Sequence, residues 1–460
     1  MTPVLAGVLL YILLQLALGF WVSRRVKTED DYLVAGRRLG FPIVMFTVFA
    51  TWFGAETCIG SAGEAYRAGL SGTTADPFGY AGCLLLMGLV YAVPLWKRKL
   101  MTLADLFRWR YGPGVERLAV LLLVPTSLMW AAAQIRAFGH VLGAASDFSL
   151  DFTVTFAAAV VIIYTVAGGL LADAITDFVQ GIVLILGLVL VAGFVFASGD
   201  AGALRELPAE QIALRTPGVT WLGTLEAWAI PIMGSVVAQE LVQRVIAARS
   251  PQVARGATVS AAALYLVIGL IPLLVGLSAI RLAPGIAEPE QVLILRAQHY
   301  LPGLLYVVFA GALVSAILST VDSALLVSGS LVAHNLVLPA LPRATERARI
   351  TVNRVAVAGF GLLAYVLALS APSVYHLVEQ ASAFGGASVF IAMTFGLFSR
   401  LGGPRAAVAS VVAGVGVYTV GTYLSDLPYP FLASLAASGL AYLATAIFER
   451  APALDTAGAA

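Results

Sequence analysis

Charge is what this chain has least of. Only 11% of its 460 residues are Asp, Glu, Lys or Arg, while 60% are hydrophobic and the mean hydropathy is +0.93. No soluble domain carries that balance, and what remains is a polytopic helical membrane protein. Cysteine is almost missing: Cys58 and Cys83 are too few for a disulfide framework and stand in no CxxC or Cys/His pattern. Both are expected as small buried side chains. The four histidines, His140, His299, His334 and His376, are scattered and not at ligand spacing. HExxH, GxSxG and GxGD are all absent, so no enzyme is expected and no cofactor. Nor does a cationic stretch precede the first apolar run, Val4–Phe20; Arg24, Arg25 and Lys27 follow it. That order reads as a retained helix and not a cleaved signal peptide.

What is present is long apolar runs, at about 4–22, 41–66, 77–96, 116–145, 152–170, 172–197, 219–247, 256–281, 301–336, 348–371, 374–399, 404–424 and 429–449. They predict thirteen spans. With the N-terminus outside and the C-terminus cytoplasmic, 21 of the 27 cations, Arg244 among them, fall in cytoplasmic segments. The polar stretches near 198–218 and 338–350 read as loops, and the tail from Ala451 as small-residue disorder. No signalling module follows the last span, so transport without signalling is the expectation.

The ninth span carries the chemistry. Within VSAILSTVDSALLV, Ser315, Ser319, Asp322 and Ser323 fall at i, i+4, i+7 and i+8 and share one helical face, with Thr320 beside them. Hydroxyls in a membrane helix commonly bond back to the i−4 carbonyl, but that does not account for an aspartate. The donors are hard oxygens, which suit a small alkali cation. Two other spans look interrupted. The second holds Gly54, Gly60 and Gly63 among Thr51, Glu56, Thr57 and Ser61; the seventh holds Pro231, Gly234 and Ser235 before Gln239, Glu240 and Gln243. They lie five spans apart, so each opens one half of a repeat, and such pairs mark the midplane site of transporters. Breaks are expected near Gly54 and Gly234.

Three segments resemble the sodium/solute symporter family of sugar, proline, pantothenate, sialate and choline carriers. They are DDYLVAGRRLG at 30–40, AGGLLADAITDFVQ at 167–180 and AILSTVDS at 316–323. The resemblance implies a LeuT-type inverted repeat of five plus five helices: 41–197 and 219–399, with one helix before (4–22) and two after (404–449). It implies alternating access driven by inward sodium flow in an integral, multi-pass protein of a bacterial-type inner membrane. Carried over by position, a sodium site would use the carbonyls of Ala50, Phe53 and Ala316 with the side chains of Ser319 and Thr320. A possible second cation site would use Asp177, Ser319, Asp322 and Ser323. Asp322 replaces a serine of some relatives, and the Asp177–Asp322 pair keeps proton coupling open as an alternative. Asp173 also departs from the motif and reads as a solvated helix start.

Substrate contacts are expected from Trp52, Glu56, Thr57, Trp130, Gln134, Arg136, Gln239 and Glu240. MWAAAQIRAFG at 129–139 and WFGAETCIGSAGEAY at 52–66 are most like the choline carriers, and Trp52 and Trp130 offer cation–π faces. Ala238, however, stands where those carriers have an aromatic residue, and Arg136 where they have a small one. An arginine on this span holds the substrate carboxylate in a sialate-type relative, and its fork suits a carboxylate. The expected solute is therefore small and carboxylate-bearing, an amino acid or organic acid, with a choline-like cation as the alternative. Other expected partners are sodium and the lipid bilayer, with no nucleic acid and no obligatory protein partner.

Overall fold

The computed structural model describes residues 3–144, 146, 148–216, 218–370 and 374–449, and among them there is no strand. The expected disordered tail from Ala451 lies outside the described residues. α1 (Pro3–Ser23) and short α2 (Glu29–Val34) lead to α3 (Phe41–Trp52) and α4 (Ser61–Ala68). α5 (Tyr80–Leu86) and α6 (Ala92–Lys97) continue one another; α7 (Leu103–Tyr111) and long α8 (Pro113–Ala144) follow. α9 (Leu150–Ala197) is divided at Gly169, φ +67°. Next come α10 (Trp221–Ala229), α11 (Gln239–Ile246), α12 (Pro251–Leu282), α13 (Val292–Tyr300) and α14 (Gly303–Val332). The last are α15 (Glu346–Ser370), α16 (Val374–Ala383), α17 (Gly386–Phe398), α18 (Pro404–Tyr423) and α19 (Pro430–Ala446).

Local chemistry sets the helix starts. Thr28 with Asp31, and Thr102 with Asp105, form capping boxes that open α2 and α7. Prolines occupy the first turns of α3, α12, α18 and α19, where a missing N–H costs nothing. Among the described residues, eight helices are long and apolar enough to cross a membrane, or up to eleven if each of three bent pairs is one span. Leu150–Val166 and Pro430–Ala446 are shorter apolar helices.

The second span bends by 57° between Phe41–Trp52 and Glu56–Ala68, around Gly54. A Cβ on Gly54 would stand 2.5 Å from Glu56 Oε2 and 2.8 Å from Thr320 Oγ1, so no larger residue fits there unmoved. The seventh span bends by 51° between Trp221–Val237 and Gln239–Ile246. Its break is at Ala238 (φ −62°, ψ 127°), which corrects the expectation of Gly234. An extended backbone suits any residue, whereas Gly234 is a packing glycine whose Cβ would meet the Ser382 carbonyl oxygen at 2.1 Å. A third bend, 40° between Leu377–Ala383 and Gly386–Phe398, falls where the sequence reads as one continuous apolar run.

α14 lies at the centre. Of the 18 residues that form the apolar stretch of its span, Gly303–Ala340, 78% are buried within the protein, against 28% for Glu346–Ser370. It packs against α9, α8, α15, α1 and α3, and α3, α11 and α14 all touch one another. The second span therefore presents its interrupted turn to the polar face of α14, and the seventh reaches that face through α11.

Candidate functional site

α3 stops at Trp52 because Phe53 leaves helical geometry (φ −89°, ψ 70°), and the carbonyls of its last turn lose their ladder partners. Ser319 and Thr320 reach that turn from α14. Ser319 Oγ donates toward the carbonyl oxygens of Ala50 (2.8 Å) and Ala316 (3.0 Å). Thr320 Oγ1 donates toward those of Thr51 (2.9 Å) and Ala316 (3.1 Å). Each hydroxyl has one proton and two carbonyls in reach, so acceptor lone pairs outnumber donors here. A hard cation relieves that imbalance. Ala50, Ala316, Ser319 and Thr320 come together; the carbonyl of Thr51 joins them, while that of Phe53 makes no hydrogen bond to either hydroxyl.

One helical turn on, α9 and α14 bring together three carboxylates. Asp173, Asp177 and Asp322 are all buried and offer oxygens within 4.8 Å of one another. Between them lies Arg244 of α11, which is fully buried. Its Nη2 stands 2.5 Å from Asp173 Oδ2 and 3.4 Å from Asp177 Oδ2 and also donates to the Ser323 hydroxyl. Its Nε donates to Thr47 Oγ1 (3.1 Å), and Thr47 in turn donates to Asp177 Oδ2 (2.5 Å). Two expectations are corrected. Asp173 is no solvated helix start but one arm of a buried ion pair. Arg244 is no loop cation; it joins α3, α9, α11 and α14, because three buried carboxylates require a counter-charge. Ser323 sits in this cluster, whereas Ser319 serves the Ala50 turn.

Around the break of the second span, Gln134 of α8 acts as a staple. Its Oε1 accepts from the Ala55 N–H (2.9 Å) and its Nε2 donates to Glu56 Oε2 (2.6 Å). Trp130, one turn back on the same face, meets Trp52 edge to face with centroids 5.0 Å apart. Both indole N–H groups are buried without a partner. Thr57 donates to Asp76 Oδ2 (2.7 Å), and the Tyr265 hydroxyl donates to Asp76 Oδ1 (3.0 Å). Asp76 is fully buried and Glu56 nearly so, and among the described residues neither has a cationic side chain as partner.

The remaining expected contacts lie elsewhere. Arg136 is two residues past Gln134, roughly 200° round the helix, and its Nη1 donates to the Ala368 carbonyl on α15 (3.2 Å). Gln239 Oε1 accepts from the Leu103 N–H (2.5 Å), holding α7 to α11. Glu240 is buried beside Arg244, to which its carbonyl bonds at 3.1 Å. Asp76 and Arg244 escape a reading by residue type alone. The signals for them were an aspartate abutting the third apolar run and an arginine four residues after Glu240 on one helical face.

Comparison with known proteins places this geometry. The model of the sodium:solute symporter family matches residues 32–414. The high-affinity choline transporter 1 of Drosophila melanogaster is 29% identical over 396 residues, which are 82% of this chain and 64% of that protein. The Homo sapiens protein of that name is 28% identical over 463 residues, 94% of this chain and 78% of its own. The osmoregulated proline transporter OpuE of Bacillus subtilis is 24% identical over 473 residues, 96% of this chain and 94% of its own. Among solved structures, a sodium-coupled sialic acid symporter in a substrate-bound outward-open state superposes with a TM-score of 0.81 at 18% identity, covering 97% and 98% of the two chains. Mhp1, a nucleobase-cation-symport-1 family transporter, gives 0.59 at 16% identity, covering 92% and 94%. The fold is shared with these transporters, and the chain belongs to the sodium:solute symporter family.

Proposed function

We propose that this chain is a secondary active transporter, not an enzyme, that couples inward sodium flow to uptake of a small organic cation by alternating access. Sodium is the coupling ion, held by the carbonyls of Ala50, Thr51 and Ala316 and the hydroxyls of Ser319 and Thr320. The two broken spans against α14 support an inverted repeat of 41–197 and 219–399. Taking each bent pair and both shorter apolar helices as spans supports thirteen crossings, N-terminus outside. The cleft of about 260 Å³ lined by Glu64, Arg67, Thr74 and Ala75 is then the outer approach to Asp76. Arg244 supplies one positive charge among Asp173, Asp177 and Asp322, at the possible second cation site.

One observation carries the substrate reading. Glu56, at the break near the Trp52–Trp130 pair, and Asp76, bonded to Thr57 one residue further on, are buried carboxylates that have no cationic partner among the described residues. A buried carboxylate demands a cation or a proton, and indole faces next to it favour an organic cation. The choline transporters among the relatives agree with this. A carboxylate-bearing solute is the second reading, favoured by the Nε–H of Arg136, which is buried without a partner. Uptake into proteoliposomes under separately imposed sodium and proton gradients tests both. A quaternary ammonium accumulated only with sodium supports the first reading; proline accumulated instead supports the second.

A further inference from the structure

A second polar cluster lies at the far end of α14, on the face where the loop cations gather. His334, in the turn after α14, has Nδ1 2.9 Å from Glu29 Oε1 of α2 and Nε2 3.6 Å from Asp105 Oδ1 of α7. Glu29 is 5% exposed. Its other oxygen binds Arg349 Nη1 of α15 (2.9 Å), and its N–H donates to Glu346 Oε2 (2.8 Å). Asn335 Nδ2 donates to both Asp105 Oδ1 (2.8 Å) and Glu116 Oε1 of α8 (2.9 Å). The other charges facing this group are Arg108, 3.7 Å from Glu116, and Arg37, within electrostatic range of Asp105. Five helices thus meet around this cluster, with the imidazole itself facing α2 and α7.

Ionised carboxylates only accept hydrogen bonds, so a ring bonded to Glu29 and at ion-pair distance from Asp105 matches both only when both nitrogens carry protons. We propose that Glu29, His334 and Asp105 form a proton-dependent clasp, which holds the inner side of the transporter shut until His334 gives up a proton. The proposal rests on the alternating-access reading. His334 lies fourteen residues beyond Thr320 on the same rod, about 21 Å at helical rise. The sodium site therefore grips the middle of this element and the clasp its inner end. Loss of the ring proton sets a lone pair against a carboxylate and leaves the cluster with excess negative charge. α2 and α7 then separate from the end of α14, and the inward path opens as internal pH rises.

Spin labels at Lys27→Cys and Arg117→Cys, both exposed positions outside the clasp, in a Cys58→Ala, Cys83→Ala background, report the opening as a distance distribution. With sodium at about pH 6, one short-distance population is expected; at about pH 9 a longer one should grow at least threefold. His334→Gln should show the longer population at both pH values. Glu29→Gln, a milder change, should shift the distribution the same way if His334→Gln does not fold. Sodium removal is the control. If it moves the distances while pH and both variants do not, the clasp is overturned and alternating access stands. If nothing moves them, alternating access fails and the clasp fails with it.

Discussion

Ser319 and Ala50 lie 269 residues apart in sequence, yet the Ser319 hydroxyl points at the Ala50 carbonyl across 2.8 Å. The contact spans from the central helix to an interrupted turn and depends on that turn staying open. Gly54 keeps it open. Gly54→Ala inserts a methyl into space held by Glu56, Thr320 and Gln134 side chains. Overpacking of this kind costs about 1–3 kcal/mol. Because Thr320 is one of the displaced groups, the cost should appear as weaker sodium binding, with the sodium concentration for half-maximal uptake raised by roughly 5- to 150-fold. Monodispersity in detergent should stay unchanged. A variant with wild-type sodium dependence would mean that Gly54 does not shape the ion site.

Arg244 should matter more to folding than to turnover. Arg244→Met leaves Asp173, Asp177 and Asp322 buried without a counter-charge, a loss of about 3–5 kcal/mol. Thermal unfolding should show it, and adding Asp173→Asn should restore part of the lost stability. Arg244→Lys keeps the charge but not the fork that reaches Thr47 and Ser323 together with the carboxylates, and should fall between the two. If Arg244→Met melted like wild type, the cluster would not rely on the guanidinium.

The acid side of the cation-rich face is set by two depressed carboxylates. Burial alone would raise Glu29, but hydrogen bonds and charge from His334 and Arg349 outweigh it and hold the group below its ordinary value. Burial would raise Asp105 too, and it is likewise held down by His334 and by the N–H groups of Thr102 and Met101. A carboxyl whose folded pKa is depressed stabilises the fold above its unfolded pKa, about 4, and that stability is lost only as pH falls through the lower folded value. Amide exchange in 29–34, corrected for intrinsic rates, should therefore stay slow down to about pH 4–5 and quicken below. Quickening already at about pH 6 would contradict this.

Glu56→Gln and Asp76→Asn each keep shape while removing one charge; Asp76→Asn also gives up one of the two acceptor oxygens that meet Thr57 and Tyr265. If an organic cation is the solute, each should weaken its uptake by about ten- to a hundredfold, about 1.4–2.7 kcal/mol. A neutral solute of the same size should be indifferent. Equal loss for charged and neutral solutes would mark the two carboxylates as structural.

Much of this was legible in the sequence because membrane helices are built from local rules. Apolar run length pointed to the long apolar helices, and the i, i+4, i+7 and i+8 spacing put Ser315, Ser319, Asp322 and Ser323 on one face, with Thr320 beside them, before any contact was known. Glycine misled at Gly234: it marks a close approach as readily as a break, and an extended residue such as Ala238 needs no glycine. Loop-charge counting assigned Arg244 to solvent because a cation at the end of an apolar run looks the same whether it leaves the protein or turns inward. The contact of Arg136 with the Ala368 carbonyl of α15 was not legible either. Spacing along a helix gives its azimuth relative to Gln134, but not which helix faces it. Asp76 stayed hidden because its partners, Thr57 and Tyr265, lie on other elements.

The most direct measurement is the sodium dependence of uptake in proteoliposomes for the double variant Ser319→Ala, Thr320→Ala. Alanine preserves the helix and removes the two hydroxyls that meet the carbonyls of Ala50, Thr51 and Ala316. The account predicts a folded, inserted protein whose half-maximal sodium concentration rises at least tenfold, about 1.4 kcal/mol, with substrate affinity falling by linkage. Uptake with unaltered sodium dependence would contradict it, and the polar face of α14 would then be packing alone.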